Sequence, residues 1–175
     1  MKKLLVLMLV FGLASVANAT ITYEIRDDGG NPVDAAAGLD IDASYQLFVS
    51  GDTSDAPHDG AVAGPTLSPD DWTVVQLTNA TVLDTGDLSH VAWSEGGGLA
   101  MWTYGAADSG QGPGVSSSDW IRWDMDLLQM GTFQLDFYDF AAGLEPVFTI
   151  RGEVIPEPAT LALLGLGGLL LRRRR

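Results

Sequence analysis

The run Trp120-Ile121-Arg122-Trp123-Asp124-Met125-Asp126, followed closely by Gly131-Thr132-Phe133-Gln134-Leu135-Asp136-Phe137-Tyr138, decides the fold class. Ile121, Trp123 and Met125 alternate with Arg122, Asp124 and Asp126. Phe133, Leu135 and Phe137 alternate with Gln134, Asp136 and Tyr138. A period of two places successive side chains on opposite faces of a strand, so each run hides an apolar row and wets a polar one. By the same parity Trp120 lies on the face opposite Trp123. Gly131 marks the turn between the two strands.

The same reading extends in both directions. Downstream, Val147 to Ile150 closes the domain. Upstream, Leu88–Trp93 and Leu99–Tyr104 pair through Ser94-Glu95-Gly96-Gly97-Gly98. Trp72–Leu77 and Thr81–Leu83 are strands flanking Thr78-Asn79-Ala80. Leu39–Val49 reads as one long strand with Leu39, Ile41, Ala43, Tyr45, Leu47 and Val49 inward, and Phe48 breaks its polar row. In Thr20–Arg26, Ile21, Tyr23 and Ile25 share a face, before a turn at Asp27–Pro32. Ser50–Asp71 and Gly105–Ser118 read as long loops, and Asp34–Leu39 has room for one helical turn. Eight or nine short strands separated by turn signals predict an all-β fold, an antiparallel β-sandwich of jelly-roll or immunoglobulin-like type, over residues 20–152. Five tryptophans supply much of its core volume.

Composition narrows the function. The chain has 175 residues, net charge −14 and no cysteine. The absent cysteine excludes disulfides, thiolate metal sites, a thiol nucleophile and an N-terminal lipidated cysteine. Bases gather at the ends, as Lys2, Lys3 and Arg172 to Arg175. Between Thr20 and Gly152 only Arg26, Arg122 and Arg151 face 21 acids, a net charge of −18. Such a surface repels a phosphate backbone, so no nucleic-acid partner is expected. Without lysine it has no Schiff-base chemistry either.

Both ends read as targeting segments. Residues 1–19 combine Lys2-Lys3, an apolar run from Leu4 to Leu13, and small residues at Ala17 and Ala19. This is a signal-peptide pattern, with signal peptidase cutting to leave Thr20 as the new N-terminus. Residues 153–175 contain Pro156-Glu157-Pro158, an apolar stretch Ala159–Leu171, and the basic stop Arg172, Arg173, Arg174 and Arg175. As a helix that apolar stretch is about 20 Å long, against a hydrocarbon core of about 30 Å. Bilayer thinning and snorkelling arginines make up part of the difference, and the arginines stay cytoplasmic. Pro156 and Pro158 stop the helix from running back into the domain.

In that order, the Pro-Glu-Pro triplet, short Leu/Gly helix and arginine cluster resemble the PEP-CTERM sorting signal of bacteria. The resemblance covers about the last twenty-two residues. It implies recognition by an exosortase, a membrane-embedded enzyme with a cysteine nucleophile that cuts near the motif. Pro156, Glu157 and Pro158 would then be recognition residues of a substrate. It further implies transient anchoring in the inner membrane, then transfer to the cell envelope, surface or extracellular matrix. A fainter resemblance links the middle of the chain to cohesin-type jelly-roll domains. It rests on the early alternating strand, Asn79-Ala80-Thr81, and the pair Trp120-Ile121-Arg122-Trp123 and Gly131-Thr132-Phe133-Gln134-Leu135, and transfers no binding residue.

Candidate chemistry in the middle is sparse. Ser89 and His90 are adjacent on a strand and point to opposite faces, which does not build a Ser–His–Asp triad; His58 lies in a loop. Gly110-Gln111-Gly112-Pro113-Gly114 precedes serines, not a helix, so it is no phosphate loop. Asp27/Asp28, Asp40/Asp42, Asp124/Asp126 and Asp136/Asp139 are carboxylate pairs of the kind a small hydrolase would need across a cleft. Asp52, Asp55 and Asp59, followed by Gly60, are the best ligand set for a structural Ca²⁺, the one cofactor considered. Trp102 and Tyr104 share a face, and an exposed member of that set, or Trp120, would suit stacking on a sugar of an extracellular polysaccharide. The expectation is a secreted, non-enzymatic, structural or adhesive protein. A carbohydrate- or calcium-binding module is the first alternative and a carboxylate-pair hydrolase the second.

Overall fold

A computed structural model describes residues 21–51, 58–83, 90–106, 118–143 and 145–156. The expected signal peptide and the apolar and arginine segments of the tail lie outside the described residues. So do Ala17, Ala19, Thr20, Glu157, Pro158 and Arg172 to Arg175. Among the described residues eleven strands form two facing sheets: β1 Thr22–Asp27, β2 Pro32–Val33, β3 Leu39–Asp40, β4 Tyr45–Gly51, β5 His58–Ala63, β6 Val75–Val82, β7 His90–Gly96, β8 Leu99–Ala106, β9 Ser118–Leu127, β10 Gly131–Asp139 and β11 Pro146–Ile155. One sheet runs β2-β1-β4-β9-β6 and the other β3-β11-β10-β5-β8-β7. The β-sandwich holds. The second sheet is mixed, because β3 pairs with β11 in parallel.

Alternation was a sound guide where one face is buried and the other wet. Ile121, Trp123 and Met125 of β9, and Phe133, Leu135 and Phe137 of β10, all point into the core. Parity fails at Trp120. Val49 faces Ile121 while Ser50 faces Asp119, so Trp120 is the extra residue of a β-bulge. The bulge turns Trp120 inward onto Gly51, where a Cβ would lie 2.4 Å from the indole ring. Only glycine fits beneath it.

The expected strand Leu39–Val49 is two strands, in different sheets. Asp40 makes the break: its carbonyl accepts from Ala43 N–H and its carboxylate from Asp42 N–H. Aspartate competes with the ladder for these amides, which favours a turn over continuation. The Tyr45 hydroxyl then accepts from the Asp40 N–H at 3.0 Å, tying the two pieces together across the corner.

The expected loop Ser50–Asp71 contains β5, a central strand between β10 and β8. Its Gly60, Ala61, Val62 and Ala63 are all buried. Val62 faces the main core, whereas Ala61 and Ala63 pack under Tyr138, Leu67 and Met101 on the other side. A strand covered on both faces has no polar row, so its sequence shows no alternation. The same stretch holds a short 3-10 helix, Pro69–Thr73, closed by a Ser68/Asp71 capping box. Asp71 also accepts from the Thr66 N–H and hydroxyl. The single turn expected near 34–39 is present as Ala35–Ala37.

Other details follow from side-chain chemistry. β6 is continuous, with a bulge between Thr78 and Thr81 where Asn79 takes a positive φ of 47°. Gly97 and Gly98, both at positive φ, form the two-residue turn of the β7–β8 hairpin. Phe48 stays on the outer face, but the Arg26 guanidinium lies 4.0 Å above its ring. From there Arg26 reaches Asp119 with two hydrogen bonds of 2.7 and 2.8 Å, and it also pairs with Glu24. Ser50 donates to Asp119 at 2.7 Å. This polar group therefore ties β1, β4 and β9 across the sheet.

The Arg26 bonds hold the Asp119 carboxyl below the ordinary carboxylate range, against an opposing push from desolvation. A depressed folded-state value stabilises above the unfolded value and is lost as pH falls through the folded one. Asp119→Asn should therefore narrow the gap in urea stability between about pH 7 and about pH 3, by less than about 1 kcal/mol given the partial exposure of the pair. A second change tests β5. A Cβ on Gly60 would sit 2.5 Å from the Tyr138 carbonyl oxygen and 2.7 Å from the Tyr104 hydroxyl. Backbone cannot yield cheaply, so Gly60→Ala should lower unfolding free energy by about 2 kcal/mol in the same assay.

Candidate functional site

The place where the chain leaves the sandwich is built from β11, β10 and β3. β11 continues past the expected boundary at 152 to Ile155. Val154 pairs with Gly131 on one side and Leu39 on the other, and is 1 % exposed. Ile155 pairs with Asp40, and its carbonyl accepts from Ile41 N–H at 3.0 Å. Gly38, at φ 100°, passes so close to Ile155 that a Cβ there would meet its Cδ1 at 2.7 Å. Pro156, the first residue of the expected Pro-Glu-Pro triplet, follows directly and ends the ladder, since it has no N–H to donate. The exit is thus clasped on both sides as far as Val154, and on the β3 side up to Ile155, the residue before the triplet.

The same end of the sandwich carries the β9–β10 turn, because Gly131 is the partner of Val154. β1 begins at the opposite end. Its Tyr23 stacks on Phe148 near the start of β11, at 5.3 Å, and touches Phe137 at 4.3 Å. The Tyr23 and Tyr104 hydroxyls meet across the sheets, and burial raises both phenols above their ordinary range.

The other expected sites are placed as follows. Asp52 and Asp55 lie outside the described residues. Asp59 lies on β5 opposite Gly105, in a paired strand and not in a loop. Among the described residues, no group of three or more His, Cys, Asp or Glu side chains is placed to hold a metal ion. His58 opens β5, correcting its assignment to a loop; His90 opens β7; Ser89 lies outside the described residues. The carboxylate pairs act as local acceptors. Asp124 accepts from Gln46 and Asn79, and Asp126 from Thr78. Asp136, 4 % exposed, accepts from Gln134 and Thr149. Asp27 accepts from Asn31, and Asp139 from Ala141 N–H.

The aromatic residues divide differently from the expectation. Tyr104, Trp120 and Trp123 are buried, and Trp102 packs against the core with its N–H donated to the Leu77 carbonyl at 3.0 Å. Tyr104, Trp120 and Trp123 offer no sugar-stacking face, and Trp102 is half-buried. The exposed indole is Trp93 on β7, 39 % exposed, beside Trp102 at 5.5 Å and Trp72 at 5.7 Å. Its N–H donates to Glu95 at 3.3 Å. Trp93 lies within a segment read as a strand, but its position on the edge of the sheet carries no sequence signal.

Comparison with known proteins bears mainly on the exit. A family model described as the PEP-CTERM protein-sorting motif matches residues 154–175. The match begins at Val154, inside β11. No curated protein matches the chain. Among solved structures, the sandwich is similar to a cohesin module from a family 33 glycoside hydrolase of Clostridium perfringens, at 9% identity over 80% of this chain and 100% of that one, TM-score 0.46. It is also similar to the C-terminal domain of the AgI/II polypeptide BspA of Streptococcus agalactiae, at 10% identity over 78% of this chain and 50% of that one, TM-score 0.47. A third is a non-cellulosomal cohesin from Archaeoglobus fulgidus, at 11% identity over 68% and 86%, TM-score 0.39.

The clasp can be loosened without touching the motif. Gly38→Ala introduces a Cβ at positive φ against Ile155 and should destabilise by about 1 kcal/mol or more. Hydrogen exchange should then accelerate at Ile41 N–H, the donor to Ile155, while the amides of central β10 keep their protection.

Proposed function

We propose that the chain is an exported structural or adhesive protein, carried to the cell envelope, surface or extracellular matrix by its C-terminal sorting segment. The observation that carries this reading is the PEP-CTERM match at 154–175 on a sandwich whose last strand ends at Ile155. Export follows from the motif. In this proposal signal peptidase removes residues 1–19, and the apolar stretch Ala159–Leu171 holds the chain briefly in the inner membrane with Arg172 to Arg175 inside. An exosortase recognises Pro156, Glu157 and Pro158 and cuts nearby. The sandwich itself is non-enzymatic in this reading. Its carboxylates serve as hydrogen-bond acceptors within the sheets and turns, which supports that role. Among the described residues no helix is long and apolar enough to cross a membrane; the stretch Ala159–Leu171 lies outside them.

A second reading, a carbohydrate-binding module, is favoured by one observation, the exposed Trp93 indole fixed by Glu95. Retention on matrix polysaccharide that is lost in Trp93→Ala would support it, and equal retention would remove it.

Sorting is tested by mass spectrometry of the chain expressed in a host with an exosortase. The mature form should begin at Thr20 and end within the tail. A variant with Pro156, Glu157 and Pro158 all changed to alanine should keep its arginines and stay in the membrane fraction. Intact chain free in the cytosol would overturn the proposal.

A further inference from the structure

The geometry points to the β9–β10 turn as a lipid-contacting tip that sets the sandwich on the membrane while its tail is anchored. This rests on the anchoring proposed above. Only three residues lie between Ile155 and Ala159, so even a fully extended chain spans about 14 Å from one to the other. The end of the sandwich that holds Ile155 must therefore sit within that distance of the bilayer surface. The β9–β10 turn is at this end, because Gly131 is the cross-strand partner of Val154.

This turn is the most apolar feature exposed there. Leu128 is 52 % exposed and Met130 59 %, the latter being the most exposed large apolar side chain among the described residues. They flank Gln129 in a three-residue connection between β9 and β10. The turn is fixed to the sandwich, since the Leu128 N–H donates to the Val74 carbonyl at 2.9 Å. Leu and Met side chains held at a membrane surface gain by immersing their apolar area at the boundary between headgroups and acyl chains. Asp126 and Glu153 are exposed close by and would be repelled by anionic headgroups. The occupant is therefore a zwitterionic lipid surface.

The absence of cysteine makes the test direct. Gln129→Cys in the chain from Thr20 to Arg175, the form the proposed signal-peptidase cut leaves, is labelled with an environment-sensitive fluorophore and reconstituted in phosphatidylcholine vesicles. Phe140→Cys, on the residue just beyond the far end of β10, serves as reference; Phe140 is itself 51 % exposed. A water-soluble quencher should act on the order of tenfold more slowly at 129 than at 140, the preference expected from burying two half-exposed side chains. Adding Leu128→Ser and Met130→Ser should bring the two rates together. Equal quenching at both positions in a chain that floats with the vesicles overturns the docking and leaves the anchoring intact. A chain that does not float with them overturns both.

Discussion

Everything about this molecule turns on the parallel pairing of β3 with the end of β11. Among the described residues it is the one place where the mixed sheet departs from simple antiparallel order. It also lets Val154 be a core residue and the first residue matched by the sorting motif at once. Fold and address share one side chain, with no linker between them. The chain is gripped by backbone hydrogen bonds and by the close passage of Gly38 up to the residue before Pro156.

Much of the sandwich was legible because half-buried strands write their geometry into a period of two. β9 and β10 are examples, whereas the β7–β8 hairpin was legible from its glycine turn. Three features were hidden for separate physical reasons. β5 is covered on both faces and built from Gly60, Ala61, Val62 and Ala63, so it has neither a polar row nor bulky residues to announce it. The corner at Asp40 sits inside a run whose apolar row continues straight through it, because its turn-forming hydrogen bonds do not alter the apolar pattern. The bulge at Trp120 reverses parity for one residue only, and the Gly51 that accommodates it is far away in sequence. Long-range packing decides all three, and spacing within one segment cannot report it.

The exit site was legible in a different way. Pro156 and the residues after it are a linear signal, read without any fold. The structure adds what that signal is attached to. By contrast, Trp93 became a candidate only once the sheet order showed β7 at an edge. The acidic surface was also read in advance, but its organisation was not. Arg26 is spent on Glu24 and Asp119, laid over Phe48, so one of only three arginines in the domain shields an outward-facing aromatic ring.

The two termini of the sandwich leave from opposite ends, since β1 starts beside the beginning of β11 and β11 then runs ten residues to its own end. Ten residues of strand measure about 33 Å. If the tail is anchored and the β9–β10 turn docked as proposed, the amino end at Ile21 would be held outward by about that height. The sandwich is in effect a pedestal, and the same arrangement would present an unrelated peptide or enzyme grafted onto its free amino end.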